Sequence, residues 1–382
     1  IAPNAAAAYS LRSLTGGDPR AVRVRRSSDD AEQDFTVSGI NSGALVNFVN
    51  EIQTLGTVTN SSGNNGFTLT NTSSTGFTAT TDTATGVCGW PYTAKAGDKI
   101  TVSFDAVVRS GTPQFIPRKA TALSGSNLVD VVSDSAISVN STASYSFEFT
   151  YDSDEAGSLT FSEGDDNADF DISNFQVTAF KGAGFVETWY DQSGNSKDAV
   201  QETAGSQPKI VSAGALVANG LDFDGSDDKL NMPNDLIASI NSASSFLVAK
   251  SDTSSSSRIA LALSHSTSNF RFYAGALLSS KFYFGYQDTA LKIELSSADT
   301  NKHLFTSIAG SSNTEAFLDG TSKGTVSSAD GKSTLSSGGI GSINTGNFWS
   351  GTIQEIIVYN TDQSANQVAL ETNIQTAYPT LP

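Results

Sequence analysis

The sequence predicts an all-β protein of sandwich or jelly-roll type, and three observations carry that expectation. Strand signals crowd the region from Lys99 to Phe180 with no helix of length between them. In Ser144–Tyr151, Tyr145, Phe147, Phe149 and Tyr151 alternate strictly with other residues, the period of a strand that buries one face. From Val186 to Tyr190 another alternating run stops at Asp191-Gln192-Ser193-Gly194-Asn195. Asp191 and Asn195 can bond back to their own backbone there, and Gly194 can take φ > 0, so the strand ends abruptly.

The remaining elements follow in order. Ala5–Leu11 reads as a short helical turn, and Ala21–Arg26 as a strand alternating apolar and basic residues. Ser27, Ser28, Asp29 and Asp30 make a polar turn. Ser42 is placed to cap a helix over Ala44–Ile52, where Leu45, Val46, Phe48, Val49 and Ile52 fall near helical spacing. Ser, Thr, Asn and Gly dominate Thr57–Thr85, but spaced apolar residues, including Phe67 and Phe77, predict short strands with polar outer faces. Strands are expected at Lys99–Val108, Ser144–Tyr151, Gly157–Ser162 and Phe170–Phe180. They recur at Gly220–Phe223, Ser245–Ala249, Phe270–Ala274, Lys281–Tyr286, Lys302–Ala309, Glu315–Leu318 and Thr352–Tyr359. Gln363–Thr376 is the second helix, with Leu370 and Ile374 four apart, and Tyr378-Pro379 ends it.

Composition narrows the function. A chain of 382 residues suits two or three domains. A net charge of −17 leaves no basic surplus to neutralise phosphates, so neither nucleic acid nor a bare anionic membrane is an expected partner. Only 16% of residues are charged, so the polar surface is mostly Ser, Thr, Asn and Gly, as in extracellular and virion β-proteins. The single cysteine, Cys88, allows no internal disulfide and reads as a small buried hydrophobe. No apolar run approaches a membrane span, and no signal-peptide pattern is present. The first residue, Ile1, predicts a fragment or a removed upstream segment.

Three motifs in the second half carry a resemblance. They are Leu221-Asp222-Phe223-Asp224-Gly225, Ala316-Phe317-Leu318-Asp319-Gly320, and Gly351–Asn360 before the terminal helix. In this order and spacing, residues 184–382 resemble the concanavalin A-like lectin/glucanase (laminin G-like) superfamily. Ala8–Leu14 and Ala21–Phe35, followed by Trp189–Gln201, are similar to the catalytic-domain framework of α-L-arabinofuranosidase B. That framework also recurs in bacteriophage and marine-virus structural proteins. In the framework these motifs are close in sequence, and here a long segment separates them. The resemblance therefore implies a discontinuous concanavalin A-like β-sandwich from residues 1–56 and 184–382, with 57–183 inserted. The insert, through Tyr92–Phe104 and Asp169–Val177, resembles jelly-roll carbohydrate-binding modules.

Hydrolysis of a glycosidic bond needs two flanking carboxylates. The framework implies one in the segment Gly339-Ile340-Gly341-Ser342-Ile343, where Ile343 stands at the acid's place, and the other near Ala260–Ser268, which holds no carboxylate. No catalytic residue is therefore assigned. His265 reads as a loop residue and His303 as a structural strand residue. No G-x-S-x-G, Walker A or Rossmann fingerprint is present.

Sugar binding needs aromatics to stack on rings and amides for hydroxyls. The candidates are Trp90 and Tyr92 in the insert, and Asn344, Asn347, Phe348 and Trp349 near the end. Their competing reading is core or rim packing. The metal to consider is a structural calcium, for which oxygen-rich clusters are needed. Asp169 and Asp171 are the favoured ligands, because jelly-roll modules often carry an acid on the last strand near such an ion. Asp222, Asp224, Asp227 and Asp228 form another acidic run. Arg23, Arg25 and Arg26 are expected to pair with Asp29, Asp30 and Asp191, and Trp189 and Tyr190 to pack structurally beside them.

The expected function is a non-enzymatic protein of a virion or extracellular surface, a tail fibre, receptor-binding or capsid-decoration protein that adheres to cell-surface glycan. Its other partners would be virion subunits, in a homo-oligomer or multivalent array, without membrane insertion. Two alternatives stand beside it: an arabinofuranosidase-type glycoside hydrolase with displaced acids, and a purely structural virion component.

Overall fold

A computed structural model describes residues 4–60, 67–80, 86–94, 99–119, 123, 136–151, 154–163, 168–180, 182–212, 214–217, 220–236, 243–265, 271–286, 292–310, 312–327, 335–342 and 346–381. The protein is all-β, with antiparallel pairing between its strands, and divides into two compact units. The larger joins Ile1–Val49 to Gly182–Pro382, and the smaller is Asn50–Lys181. The first junction falls at residue 49 rather than 56, because the chain leaves its helix early. That helix is Ala44–Val49, and Asn50–Gln53 is instead a strand paired with Val177–Phe180. Ser42 does not cap it. It closes a short helix, Val37–Asn41, whose own cap is Thr36, which accepts from the Gly39 amide.

In the larger unit the longest strand, Ser350–Tyr359, organises one sheet. Ser244–Ser251 pairs along one edge, followed by Lys302–Ala309, Asn313–Leu318 and Thr321–Ser327. Its other edge is shared by Ala7–Ser10 and Leu221–Asp224. Ala5–Leu11 thus contains a strand, not the expected helical turn, because Ala7–Ser10 takes up the free edge opposite Glu355–Val358. From Leu221–Asp224 the pairing continues through Lys209–Ser212, Gly184–Trp189 and Ala199–Val200 to Leu230–Met232, Leu335–Ile340, Arg258–His265, Arg271–Leu278, Lys281–Tyr286 and Lys292–Ser297, so the strands form one closed sheet. Apolar side chains from its opposite walls, among them Leu247, Leu261, Phe305, Ile356 and Trp349, form one buried cluster. The C-terminal helix is Gln367–Ala377, and it buries Leu370 and Ile374 against Phe246, Leu304 and Tyr359.

The smaller unit is a pair of facing sheets. One has the order Ile137–Ser138, Gln114–Arg118, Glu155–Glu163, Gly86–Ala94, Thr59–Asn60. The other runs Ala143–Thr150, Lys99–Ser110, Asp169–Phe180, Phe77–Thr80, Thr68–Thr70. Between them Phe104, Phe115, Phe161, Phe170 and Phe175 pack around Trp90. The alternation read in Ser144–Tyr151 places Phe149 and Tyr151 in this core. Tyr145 and Phe147 are only half-buried, and they pack on Phe104 and Phe115.

Candidate functional site

The aromatic residues expected to bind sugar are core residues. Trp90 is fully buried in the middle of its strand, stacked on Phe175 with ring centroids 4.0 Å apart. Tyr92 is buried against Tyr151, and Trp349 is fully buried in the larger unit. A ring with no accessible face cannot stack on a saccharide, so these three assignments are corrected to packing. Phe348 is half-buried and its carbonyl accepts from the Arg258 guanidinium. Asn347 is exposed at a positive φ of 58° and its carbonyl accepts from the Ile259 amide. Asn344 lies outside the described residues.

The expected metal ligands hold a guanidinium instead. Arg109 bonds both oxygens of Asp171 at 2.7 and 2.9 Å and Asp169 at 2.8 Å. Arg109 holds the Asp171 carboxyl below the usual carboxylate range. The arginine ladder pairs with Asp29 and Asp30 as expected and departs from expectation at Arg23. Arg25 bonds Asp30 and Arg26 bonds Asp29, whereas Arg23 bonds Asp34, which the sequence reading passed over. Tyr190 donates to the same Asp34 at 2.7 Å, and Arg20 lies over its ring. Trp189 is buried against Tyr9.

Asp191 pairs with none of the arginines. It accepts from the backbone amides of Ala8, Ser193 and Lys197, and from the Ser193 hydroxyl. Backbone donors surround it because its strand ends inside a turn, beyond the arginine strand's reach. Gln192 accepts from the Leu14 amide and donates to the carbonyls of Ser10 and Arg12, so this turn secures the N-terminal segment. His303, as expected, is a buried strand residue, with its ring nitrogens on Asp299 and Asp319. His265 ends a strand rather than lying in a loop. Cys88 is buried.

Among the described residues, Asp224, Asp227 and Asp228 bring carboxylate oxygens within 4.8 Å of one another. The turn itself accounts for their contacts. Asp224 accepts from the Ser226 and Asp227 amides, Asp227 from the Ser206 hydroxyl, and Asp228 from the Asp224 amide. Asp228 is 7% exposed, and burial pushes its carboxyl up to about 7, with the neighbouring Asp224, Asp227 and Asp222 charges adding to the rise. This carboxyl binds its proton more tightly folded than unfolded. Its stabilising contribution is therefore full below about pH 4 and lost as pH rises through about 7. Asp228→Asn is expected to raise the melting temperature of the larger unit by several degrees at about pH 8 and to leave it unchanged near pH 4. Thermal unfolding across that range checks this; an unchanged melting point at the alkaline end would exclude it.

A groove on the smaller unit has the shape of a binding site, in two lobes of about 430 and 290 Å³ that share Thr75 and Asn174. A bulge builds it. The register of Asp169–Phe180 against Lys99–Ser110 slips between Ser173 and Gln176, and Asn174 takes φ 52° there. Opposite the bulge, the turn after Asn71 is held by the Ser73 hydroxyl, which accepts from the Thr75 amide, and by the Ser73 amide, which donates to the Gly76 carbonyl. Gly76 lies so close to the Ile172 carbonyl that a Cβ would sit 2.3 Å from its oxygen, so only glycine fits. The Phe175 amide donates to the Thr75 carbonyl and locks the two walls together.

Amides and hydroxyls share the lining with Leu55, Phe77, Ile172 and Phe175, with Gln53 and Gln176 at one end and Asn71 and Thr78 at the other. Asn174 Nδ2 donates to Asp105 at 2.7 Å, which leaves its Oδ1 as a free-facing acceptor. Bonds from Ser144 and Asn174 hold the Asp105 carboxyl low. Turn-forming Ser, Thr and Asn residues in the low-charge stretch before Thr80 were the only sequence signal for this groove.

No protein-family model and no curated protein matches the chain. Among solved structures, Trypanosoma rangeli sialidase in complex with sialic acid aligns at 12% identity over 77% of this chain and 59% of that one, with a TM-score of 0.35. Domain 4 of AbnA, a GH43 extracellular arabinanase from Geobacillus stearothermophilus in complex with arabinotriose, aligns at 12% identity over 47% of this chain and 91% of its own, with a TM-score of 0.33. The CBM22 tandem domain of Paenibacillus barcinonensis Xyn10C aligns at 10% identity over 91% and 99%, with a TM-score of 0.24. The alignment to NanB in its complex with Optactamide spans only 27% of that chain. Similarities of this size carry no site residue across.

Proposed function

We propose that this chain is a glycan-recognition protein of a virion or other extracellular surface, and that it does not hydrolyse what it binds. The observation that carries the reading is the groove around Thr75 and Asn174. Its amide and hydroxyl lining offers donors and acceptors in mixed order, the complement of a polyhydroxylated ligand. Its acidic member, Asp171, is already engaged by Arg109. In sequence, isoleucine at position 343 and a stretch without carboxylates at Ala260–Ser268, the places where the arabinofuranosidase framework implies its acids, favour binding over hydrolysis. A shallow groove of this kind binds weakly alone, and presentation in many copies would supply avidity.

The test is a glycan array probed with the chain displayed multivalently. Thr75→Trp obstructs the junction of the two lobes from an exposed position and is expected to lower binding by at least about tenfold, the equivalent of 1.4 kcal/mol, with unchanged folding. No reducing ends should appear from arabinan or bacterial polysaccharide. Array silence at every valency would favour a purely structural role, and release of reducing ends would restore the hydrolase reading.

A further inference from the structure

We propose that the larger unit carries a ligand site of its own, a hollow of about 650 Å³ between the end of strand Ser350–Tyr359 and the C-terminal helix, and that it takes a neutral saccharide ring. The site goes beyond the Thr75 groove and stands independently of it, on a different unit. Its floor is apolar and buried, made by Tyr359 and Leu370, with the exposed Ala369 beside them. Asn4, Thr361, Gln363, Asn366 and Asn373 form the walls and complete the lining, and Asn4 adds a further polar amide to it.

Hydrogen bonds already made decide what these walls can offer. The Arg12 guanidinium donates to Asn373 Oδ1 at 3.0 Å. A guanidinium has no acceptor, so the amide orientation is determined and the Asn373 NH2 is turned away as a donor. Asn366 Nδ2 donates to Gln363 Oε1 at 3.0 Å, and Gln363 Nε2 donates to Thr361 Oγ1 at 2.7 Å. This relay leaves Asn366 Oδ1 as an acceptor and the Thr361 hydroxyl proton as a donor. Gln363 is only 8% exposed, and among the described residues the second N–H of its Nε2 has no acceptor. A buried amide with an unused donor marks a place where a ligand oxygen gains more than it would in water.

The remaining valences therefore mix donors and an acceptor around an apolar floor, with no charged side chain in the lining. A sugar ring matches that set. Each hydroxyl donates and accepts at the same oxygen, and the C–H face of the ring covers Leu370. A charged ligand has no counter-ion here, and a purely apolar one would leave the amides unpaired.

The test is nuclear magnetic resonance of the full chain, reading the side-chain amides of Gln363, Asn366 and Asn373. The probes are methyl β-D-glucopyranoside, methyl β-D-galactopyranoside and methyl α-L-arabinofuranoside, each at about 20 mM, enough to populate a millimolar site. At least one probe is expected to shift these resonances in a saturable way. Ala369→Trp, which places a ring over the hollow from an exposed helix position, is expected to abolish the shift by obstruction and leave the melting temperature unchanged. Asn366→Ala is expected to weaken it severalfold. Silence with all three probes, or a shift that survives Ala369→Trp, overturns the proposal. A response to N-acetylneuraminate alone overturns the neutral class. The Asn174 side-chain amide, read in the same spectra, reports the groove separately, so either site can fail without the other.

Discussion

Replacing Arg12 with alanine is expected to destabilise the larger unit by about 3 kcal/mol, at the lower end of what breaking a buried ion pair costs. Glu355 lies in the long strand Ser350–Tyr359 and is fully buried. Arg12 grips it with two bonds of 2.7 Å, from Nε to Oε2 and from Nη2 to Oε1. Ser10 and Tyr378 donate to Oε2 as well, at 3.0 and 3.2 Å. Removing the guanidinium leaves the carboxylate in the interior with hydroxyls alone, which do not balance its charge. Part of the Arg12 side chain, 26%, remains exposed, so water reaches the gap and moderates the loss. Denaturant unfolding of the intact chain, followed by a probe in the larger unit, measures this. Arg12→Lys should recover only part of the stability, because an ammonium cannot bond both oxygens in parallel. A loss below about 1 kcal/mol in Arg12→Ala would mean that the pair behaves as a surface ion pair.

Trp90→Ala is expected to destabilise the smaller unit by about 3–5 kcal/mol, the range for truncating a buried aromatic. Its ring touches Phe77, Phe161 and Phe175. The substitution would open a cavity at the centre of the cluster between the two sheets. The outcome separates packing from recognition. A core Trp90 changes stability and leaves the glycan affinity of the folded fraction unaltered. A ligand-stacking Trp90 would lose affinity at little cost in stability, a result incompatible with its full burial. Calorimetric unfolding combined with binding at a temperature well below the transition distinguishes the two.

These residues show how far the sequence could be read. Period-two alternation located most long strands to within a few residues, since burial of one face is written directly into residue type. Edge strands escaped it. Ala7–Ser10 is entirely buried and carries no alternation, and Asn50–Gln53 continues a helical pattern until sheet pairing takes over. Turn acids were recognisable as partners of the arginine strand, but not the choice of Asp34 over Asp191, which depends on the register Arg23↔Asp34. Aromatic residues beside Gly and Pro looked like exposed binding platforms. Residue type does not distinguish a tryptophan in a core from one on a surface, and strand Gly86–Ala94 turned Trp90 inward. The groove escaped notice because it is made by backbone shape, a bulge facing a turn, and its side chains are the commonest polar residues of the chain.

The antiparallel pairing of Asn50–Gln53 with Val177–Phe180 has a consequence for biosynthesis. The larger unit is discontinuous, so its N-terminal residues must wait until everything up to its long C-terminal strand has been made. Closing the intervening stretch as a slack loop would cost roughly 4 kcal/mol in chain entropy. The smaller unit is complete once Phe180 leaves the ribosome, and its folding brings its entry and exit points into register, Asn50 opposite Phe180. With Asn50 opposite Phe180, the chain on either side is already close, and Val49 and Gly184 are neighbours within the larger unit. A segment that interrupts its host in the genetic text thus shortens the host's search for its own two halves.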